Sequence, residues 1–504
     1  MTLDRNLYIK QYGNLFSEKI SSDVKSYLNV SDIALAFLTL DKKLYIRKFD
    51  GNSPIFVDSD VAQISLPSDL AKTNLIQYVK NNGEIYLANT EISKRKLGKF
   101  SPYYSIYYKI HKDKIFFFPD SSTIIYVLRY DLSADPIVVD KSESGRLSIV
   151  GFFDLGMIYR KLNSLYFYSY ASGTTSKVKD FSYYYPSHIT SVGNEFYFID
   201  WDGIYYFDGT TNFLALVDQM ISSVITYENT AMFYLKRVTN VSSNPMTFSV
   251  VKFNYQDKST QVIGNNIEMN PWEWDLWWPG VSVSPDGNYV IVSGSGNIFS
   301  VKTDGSGVVK LNDKINRSDC SFNGFARDVT KKYIGKIVIE CSPSSLMLIL
   351  KPDGTDIFKF NPYSIYYDPY YSTYRIYSGG NKIVWVEGGS IYISELREGA
   401  TPIPIDTDVF PFDVLVRVFS FDVLVLEKAG KILYAKKEVV PFFSPTYTLK
   451  FVSLNGDAVG TIDSGVNYYY YTPEEDYVIY TKWVFELEGN TVKIKNALSS
   501  ARLK

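Results

Sequence analysis

The stretch Pro271 to Gly280, PWEWDLWWPG, sets four of the seven tryptophans within seven residues, with the carboxylates Glu273 and Asp275 between them. Indole rings stack on sugar faces and anchor protein interfaces, while carboxylates accept hydroxyl hydrogen bonds. In an extended strand, alternation puts Trp272, Trp274, Leu276 and Trp278 on one side and Glu273, Asp275 and Trp277 on the other. Burial of the first set is the favoured reading, which leaves Trp277, Glu273 and Asp275 as a candidate binding set. Tyrosine clusters form a second one. The richest, YSIYYDPYYSTYRIY, spans 363–377 and contains Tyr366, Tyr367, Tyr370 and Tyr371. Consecutive rings cannot all point into one core, so several are expected at loop tips, where tyrosine offers rigid amphipathic contact area.

Catalytic chemistry has less to work with. There are two histidines, His111 and His188, far apart in the chain, which argues against a histidine-based triad or a multi-histidine zinc site. No Gly-x-Ser-x-Gly elbow and no phosphate-cradling Gly-x-x-x-x-Gly-Lys-Ser/Thr occurs. The acidic groups Glu474, Glu475 and Asp476, and Asp406, Asp408 and Asp413, lack the spacing of a calcium loop and read as solvated turn carboxylates. The expectation is a chain that is not an enzyme, with no metal and no cofactor.

The elements that must position these groups are strands. Tyr and Phe number 43 and 32 among 504 residues, and aromatic residues suit a pleated surface. Lys plus Arg is 52 against 54 for Asp plus Glu, a net charge of −2 without a long basic block, so nucleic acid is not the expected partner. The two cysteines, Cys320 and Cys341, are too few for a disulfide framework, and two buried thiols on neighbouring strands is the favoured reading over a bond between them. The opening residues show no apolar core of a signal peptide, and no apolar run is long enough to span a membrane. Helix is expected only over about 14–28, where Leu15, Phe16, Ile20 and Val24 recur at helical spacing.

A hairpin recurs along the chain. Its clearest copy runs from Val281 to Asn312: a Pro285-Asp286-Gly287 turn, the strand NYVIVSG, a short turn, the strand IFSVK, an Asp304-Gly305 turn and the strand VVKL. Asp-Gly supplies the positive φ that tight turns need, and the alternating apolar residues between are period-two strands. Eleven such hairpins can be read, with starts 36 to 57 residues apart; units of about 40 to 50 residues with four short strands each characterise propeller blades. On Ser284, Pro285, Asp286, Gly287, Asn297, Ile298, Asp304, Gly305 and Ser306 this copy resembles the TolB-like family of WD40-related propeller repeats, a resemblance that implies the fold and not an activity. The fold expected is all-β, two tandem β-propellers of about eleven four-stranded blades in total. The widest interval contains the tryptophan stretch, so the rings are divided there, about six blades in 1–268 and about five in 269–504.

Abundant Tyr, Ile and Lys with almost no His or Cys in a large β fold also resembles the composition of crenarchaeal virus proteins. The functional expectation is a non-enzymatic interaction protein whose partners are other proteins of an assembly, with surface glycans as further candidates. A structural or host-attachment component of an archaeal virus particle is the setting that resemblance implies, located in the virion; otherwise the chain is expected in the cytoplasm. The alternatives are a propeller that binds or cleaves polysaccharide through Trp277 and a carboxylate pair, and an intracellular scaffold of the WD40 type.

Overall fold

The computed structural model describes residues 6–502 except 10–17, 32–33, 50–52, 68–73, 100–105, 119–122, 144, 182–186, 201, 240–244, 270–279, 295, 343–345, 362–373, 388, 408, 410–423, 439–445, 458, 472–476 and 489–490, with backbone alone at 9, 18, 424, 437–438, 446, 467–471, 477, 479, 481–488 and 491–498. The chain is all-β and built of propeller-type repeats. The described strands form eleven antiparallel sheets: a two-stranded ribbon, nine four-stranded sheets in which the strands pair in chain order, and one six-stranded sheet. The first nine expected hairpins are each the middle pair of a four-stranded sheet; NYVIVSG and IFSVK, for instance, give Tyr289–Gly294 and Asn297–Lys302. The last two fall together in the six-stranded sheet, and the eleventh sheet is the N-terminal ribbon of Leu7–Ile9 and Glu18–Ser21.

Middle strands are apolar on both faces where a sheet has a packed neighbour on each side. Ala34–Thr39 in the first four-stranded sheet is buried at every position. Its Ala34, Ala36 and Leu38 share a core with Ile76, Tyr78 and Ala88 of the second sheet, while Leu35 and Phe37 pack with Leu7 and Ile20 of the ribbon. The same two-faced arrangement carries the stack through the fifth sheet. A second series of shared cores runs from the sixth sheet to the six-stranded one. The chain divides into two compact units, Met1–Gln219 with the ribbon and five four-stranded sheets, and Met220–Lys504 with four more and the six-stranded sheet. Residue 268 lies inside Thr260–Met269, the last strand of the sixth four-stranded sheet.

The SPDG turn is built as its residues imply. Ser284, fully buried, donates from Oγ to the Asp286 carboxylate and accepts from the Tyr289 N–H at 2.9 Å. Gly287 has φ +73°, and a Cβ there would stand 2.6 Å from the Tyr227 ring, so glycine is required twice over.

Two expectations are corrected. Within 14–28 the described residues are extended, Glu18–Ser21 and Val24–Ser31, joined by a turn with Asp23 at φ +56°. The run VKSYLNVS alternates as a strand does, and the helical spacing of Ile20 and Val24 arises from two strands meeting at that turn. Cys320 and Cys341 are buried on neighbouring strands, but they are bonded as a disulfide; the antiparallel register sets them directly opposite each other. Among the described residues the α-helix is confined to the five residues Leu311–Ile315.

Candidate functional site

The candidate binding residues Trp277, Glu273 and Asp275, and Tyr366, Tyr367, Tyr370 and Tyr371, lie outside the described residues, as do Asp408, Asp413, Glu474, Glu475 and Asp476. Flanking tyrosines show both environments expected of such clusters. Tyr107 is 48% exposed, whereas its neighbour Tyr108 is buried with its hydroxyl 2.8 Å from Gln77 Oε1. Tyr377 is buried against Leu454.

The two histidines are packing groups. The His111 ring lies parallel to Phe152 at 5.1 Å, and burial, assisted by the charge of Lys112, holds its pKa below the usual value. His188 stacks on Phe196 at 4.6 Å, with its Nε2 3.0 Å from Ser191 Oγ. That hydroxyl donates to the Phe152 carbonyl at 2.6 Å, so its proton is committed elsewhere and Ser191 is not set up as a nucleophile. Among the described residues no group of three or more His, Cys, Asp or Glu could hold a metal.

The ionisable groups are organised instead by a clasp between successive sheets, built on a bulge in the outermost strand. In the first four-stranded sheet the ladder skips Val57, so Asp58 follows a bulged apolar residue. The same skip occurs at Leu97, Val139, Val178, Val217, Ile405 and Ile462, followed by Gly98, Asp140, Lys179, Asp218, Asp406 and Asp463. At Asp58, Asp140, Lys179 and Asp406 the side chain after the bulge reaches the hairpin of the next sheet. Asp58 accepts from Tyr78 Oη at 2.7 Å, Lys80 Nζ at 3.0 Å and Lys94 Nζ at 3.1 Å. Asp140 accepts from Tyr159 at 2.7 Å and Lys161 at 2.8 Å. Asp406 accepts from Tyr434 at 2.9 Å, Lys436 at 3.2 Å and Lys450 at 2.5 Å. Asp463 accepts from Tyr480 at 2.9 Å within the six-stranded sheet. Asp406, read from sequence as a turn carboxylate, is thus a half-buried clasp.

Burial raises the pKa of Asp58 and Asp406, but the bonds outweigh it and both are lowered to about 2. The tyrosines are pushed upward by burial and by the adjacent carboxylate, Tyr480 to about 12. Between the fourth and fifth sheets the polarity is reversed: Lys179 occupies the aspartate position and ion-pairs with Asp200, whose side chain is fully buried, while lying 4.5 Å over the Tyr205 ring. Sequence reading missed the clasp. Its trace is a Val/Ile-Asp pair followed 16 to 28 residues later by Tyr-x-Lys, as at Asp58 with Tyr78-Val79-Lys80 and Asp140 with Tyr159-Arg160-Lys161.

In the second to fifth four-stranded sheets a stacked aromatic pair spans the two middle strands: Tyr78 with Tyr86, Phe117 with Tyr126, Tyr159 with Tyr166, and Phe198 with Tyr205, with centroids 5.2 to 5.6 Å apart. Phe37 and Tyr45 form the same pair in the first sheet at 5.4 Å. Here an open cleft of about 700 Å³ runs along the pair, bounded by Ile20 and Asp23 on the ribbon side and by Leu40, Asp41 and Pro54. Asp41 is paired with Lys43 at 2.7 Å, and Leu40 is 43% exposed.

No protein-family profile and no curated protein matches this chain. Solved structures that resemble it include the tricorn protease, at 10% identity over 96% of this chain and 60% of that one with a TM-score of 0.27. Hsv2 of Kluyveromyces lactis is 13% identical over 56% of this chain and 93% of its own, TM-score 0.27. Virginiamycin B lyase from Staphylococcus aureus is 13% identical over 53% and 89%, TM-score 0.25. This chain therefore spans about three fifths of the tricorn protease chain.

Proposed function

We propose that this chain is a non-enzymatic interaction protein, a tandem array of propeller repeats that presents its strand edges and loops to other proteins of an assembly. The observation that carries this reading is the chemistry of the outermost strands. Phe56, Ile137, Val138, Phe213, Leu216, Val262, Val308 and Ile403 all lie on the last, outermost strand of their four-stranded sheets, and all are more than a third exposed. Unpaired edges carrying apolar side chains invite partners. The bulge carboxylates Asp58, Asp140 and Asp406 are meanwhile engaged in holding sheets together.

The setting proposed is a structural or host-attachment component of an archaeal virus particle, a reading supported by composition. The ring division proposed is near residue 268, with Trp277, Glu273 and Asp275 just beyond it. The test is affinity purification of the tagged chain from its native source with quantitative mass spectrometry, repeated with Ile137→Asp and Phe213→Asp. The interaction reading expects one set of partners at fixed ratio, depleted severalfold by at least one substitution while the melting temperature barely moves. Equal recovery with every variant would count against the outer strands as the contact surface. The polysaccharide reading keeps the tryptophan stretch in view; Glu273→Gln or Asp275→Asn would then abolish sugar release by a folded protein.

A further inference from the structure

A strand at the edge of a sheet can be extended by another chain unless it is short or interrupted by a bulge. The four-stranded sheets use both devices. Among the described residues, each of their edge strands with six residues or more has a break in its ladder, as in Val24–Ser31, Thr260–Met269 and Cys320–Arg327, and the unbroken ones, such as Tyr107–His111 and Gly280–Val283, have five residues or fewer. Their exposed apolar side chains can meet a partner's surface, but they offer no long ladder for strand addition. The last strand of the chain differs. Thr491–Arg502 has twelve residues, pairs with Tyr477–Glu488 at every position without a shift, and ends the six-stranded sheet with no described strand on its outer side.

We infer that Thr491–Arg502 is a self-association edge, joined antiparallel to the same strand of a second copy of this chain across a two-fold axis, so that two six-stranded sheets continue into one. The strand's own sequence selects that occupant. TVKIKNALSSAR has Lys493 and Lys495 in its first half and an uncharged run, 496–501, in its second. Antiparallel pairing lays the uncharged run of one copy on the lysines of the other. A two-fold axis normal to the sheet sets one residue opposite its own copy. With Ala497 there, 492–502 overlap, Lys493 falls opposite Ala501, Lys495 opposite Ser499 and Arg502 opposite Val492. No positive residue is then opposite or diagonal to another, whereas moving the axis to Asn496 would set Lys495 diagonal to its own copy. An acidic partner strand is not called for, because the existing ladder already sets Glu486 opposite Lys493 and diagonal to Lys495. A bulged or shorter strand would leave part of this edge unpaired, while a second copy matches it in length and satisfies both free edges at once.

This goes beyond the interaction reading and does not depend on it. The test is sedimentation velocity on the full-length protein from micromolar to submillimolar concentration, with hydrogen exchange read over 492–502. The parent is expected to form a dimer, and amide protection in that stretch to rise with concentration. Ala497→Lys and Ala497→Glu each set like charges opposite one another at the axis and should weaken the dimer roughly tenfold or more, with melting midpoints close to the parent's. An equimolar mixture of the two variants should restore it. The inference is overturned by a parent that stays monomeric throughout, by protection of 492–502 that is independent of concentration, by a mixture no more dimeric than its components, or by a dimer that both substitutions leave intact, which would place the contact elsewhere. Should the variants fail to fold, the exchange measurement on the parent decides alone. A monomeric chain that still recovers fixed-ratio partners from its native source would remove the self-pairing and leave the interaction reading standing.

Discussion

The Asp58 carboxylate, at the end of the first four-stranded sheet, receives the Tyr78 hydroxyl of the second sheet at 2.7 Å, with Lys80 and Lys94 closing the other lone pairs at 3.0 and 3.1 Å. Tyr78 is fully buried and Asp58 is 7% exposed, so neither finds an alternative partner in water. Removing the Tyr78 hydroxyl leaves Asp58 its two lysines, whereas removing the carboxylate charge weakens all three bonds at once, so the aspartate change costs more. Tyr78→Phe is expected to lower unfolding free energy by about 1 kcal/mol and Asp58→Asn by about 1–3 kcal/mol, read from urea midpoints at constant m-value. Tyr159→Phe and Tyr434→Phe should behave like Tyr78→Phe. Indifference at all three positions would show that the clasps contribute nothing to holding sheets together.

The clasps also fix the sign of the acid response. Asp58 and Asp406 have pKa values lowered to about 2 in the folded chain from an ordinary value of 3.8. Their contribution is fully present above the ordinary value and is lost as pH falls through about 2. Stability should therefore be nearly flat from neutrality to the ordinary carboxylate range on this account and fall steeply below it, with Asp58→Asn flattening part of that fall. Calorimetric scans between neutral pH and strong acid check it; an Asp58→Asn profile as steep as the parent's would reject the assignment.

At the reversed clasp, Lys179→Asp brings a second carboxylate against the fully buried Asp200 side chain. A loss of about 3–5 kcal/mol is expected from an uncompensated buried charge. The double variant Lys179→Asp with Asp200→Lys restores the pair in the polarity used by the other sheets and should recover a large share. A double-mutant cycle with additive losses would show that the two residues act separately.

The Cys320–Cys341 disulfide closes a separation of 21 residues. On chain-entropy grounds it adds about 3 kcal/mol by restricting the unfolded state. Alkylation of the urea-unfolded, unreduced protein should label neither cysteine, and reductant should lower the melting temperature. Labelling of both without reductant would return the pair to free thiols.

Much of the architecture is legible in sequence because hairpins announce themselves locally, by Asp-Gly and Ser-Gly turns between alternating runs such as YVIVSG and IFSVK. The stretch 14–28 misleads because Ile20 and Val24 lie on separate strands whose meeting produces a helical spacing by accident. The cysteines mislead because composition speaks to a framework of disulfides and not to one register-matched pair. The clasp is harder still. Asp58 and Tyr78 stand 20 residues apart, and their relation appears only when a bulge at Val57 rotates one side chain toward the next sheet. Trp277, Glu273 and Asp275, the residues that stand out most in the sequence, lie outside the described part of the chain, so they rest on the alternation argument.

The ring division has its own test. Fragments cut after residue 219 and after residue 268 differ by one sheet, 221–269. If the rings divide near residue 268, the second pair should unfold cooperatively and stay soluble, while the first pair exposes an unpaired seat and aggregates. The opposite outcome would move the division to the compact-unit boundary between Gln219 and Met220.

Whether this chain works as a fixed member of a protein assembly is decided by quantitative mass spectrometry on the native source separated into intact particles, cell envelope and soluble extract. A fixed member of an assembly is recovered with purified particles at a constant ratio to their other proteins. Recovery as a free soluble species in every fraction would contradict it.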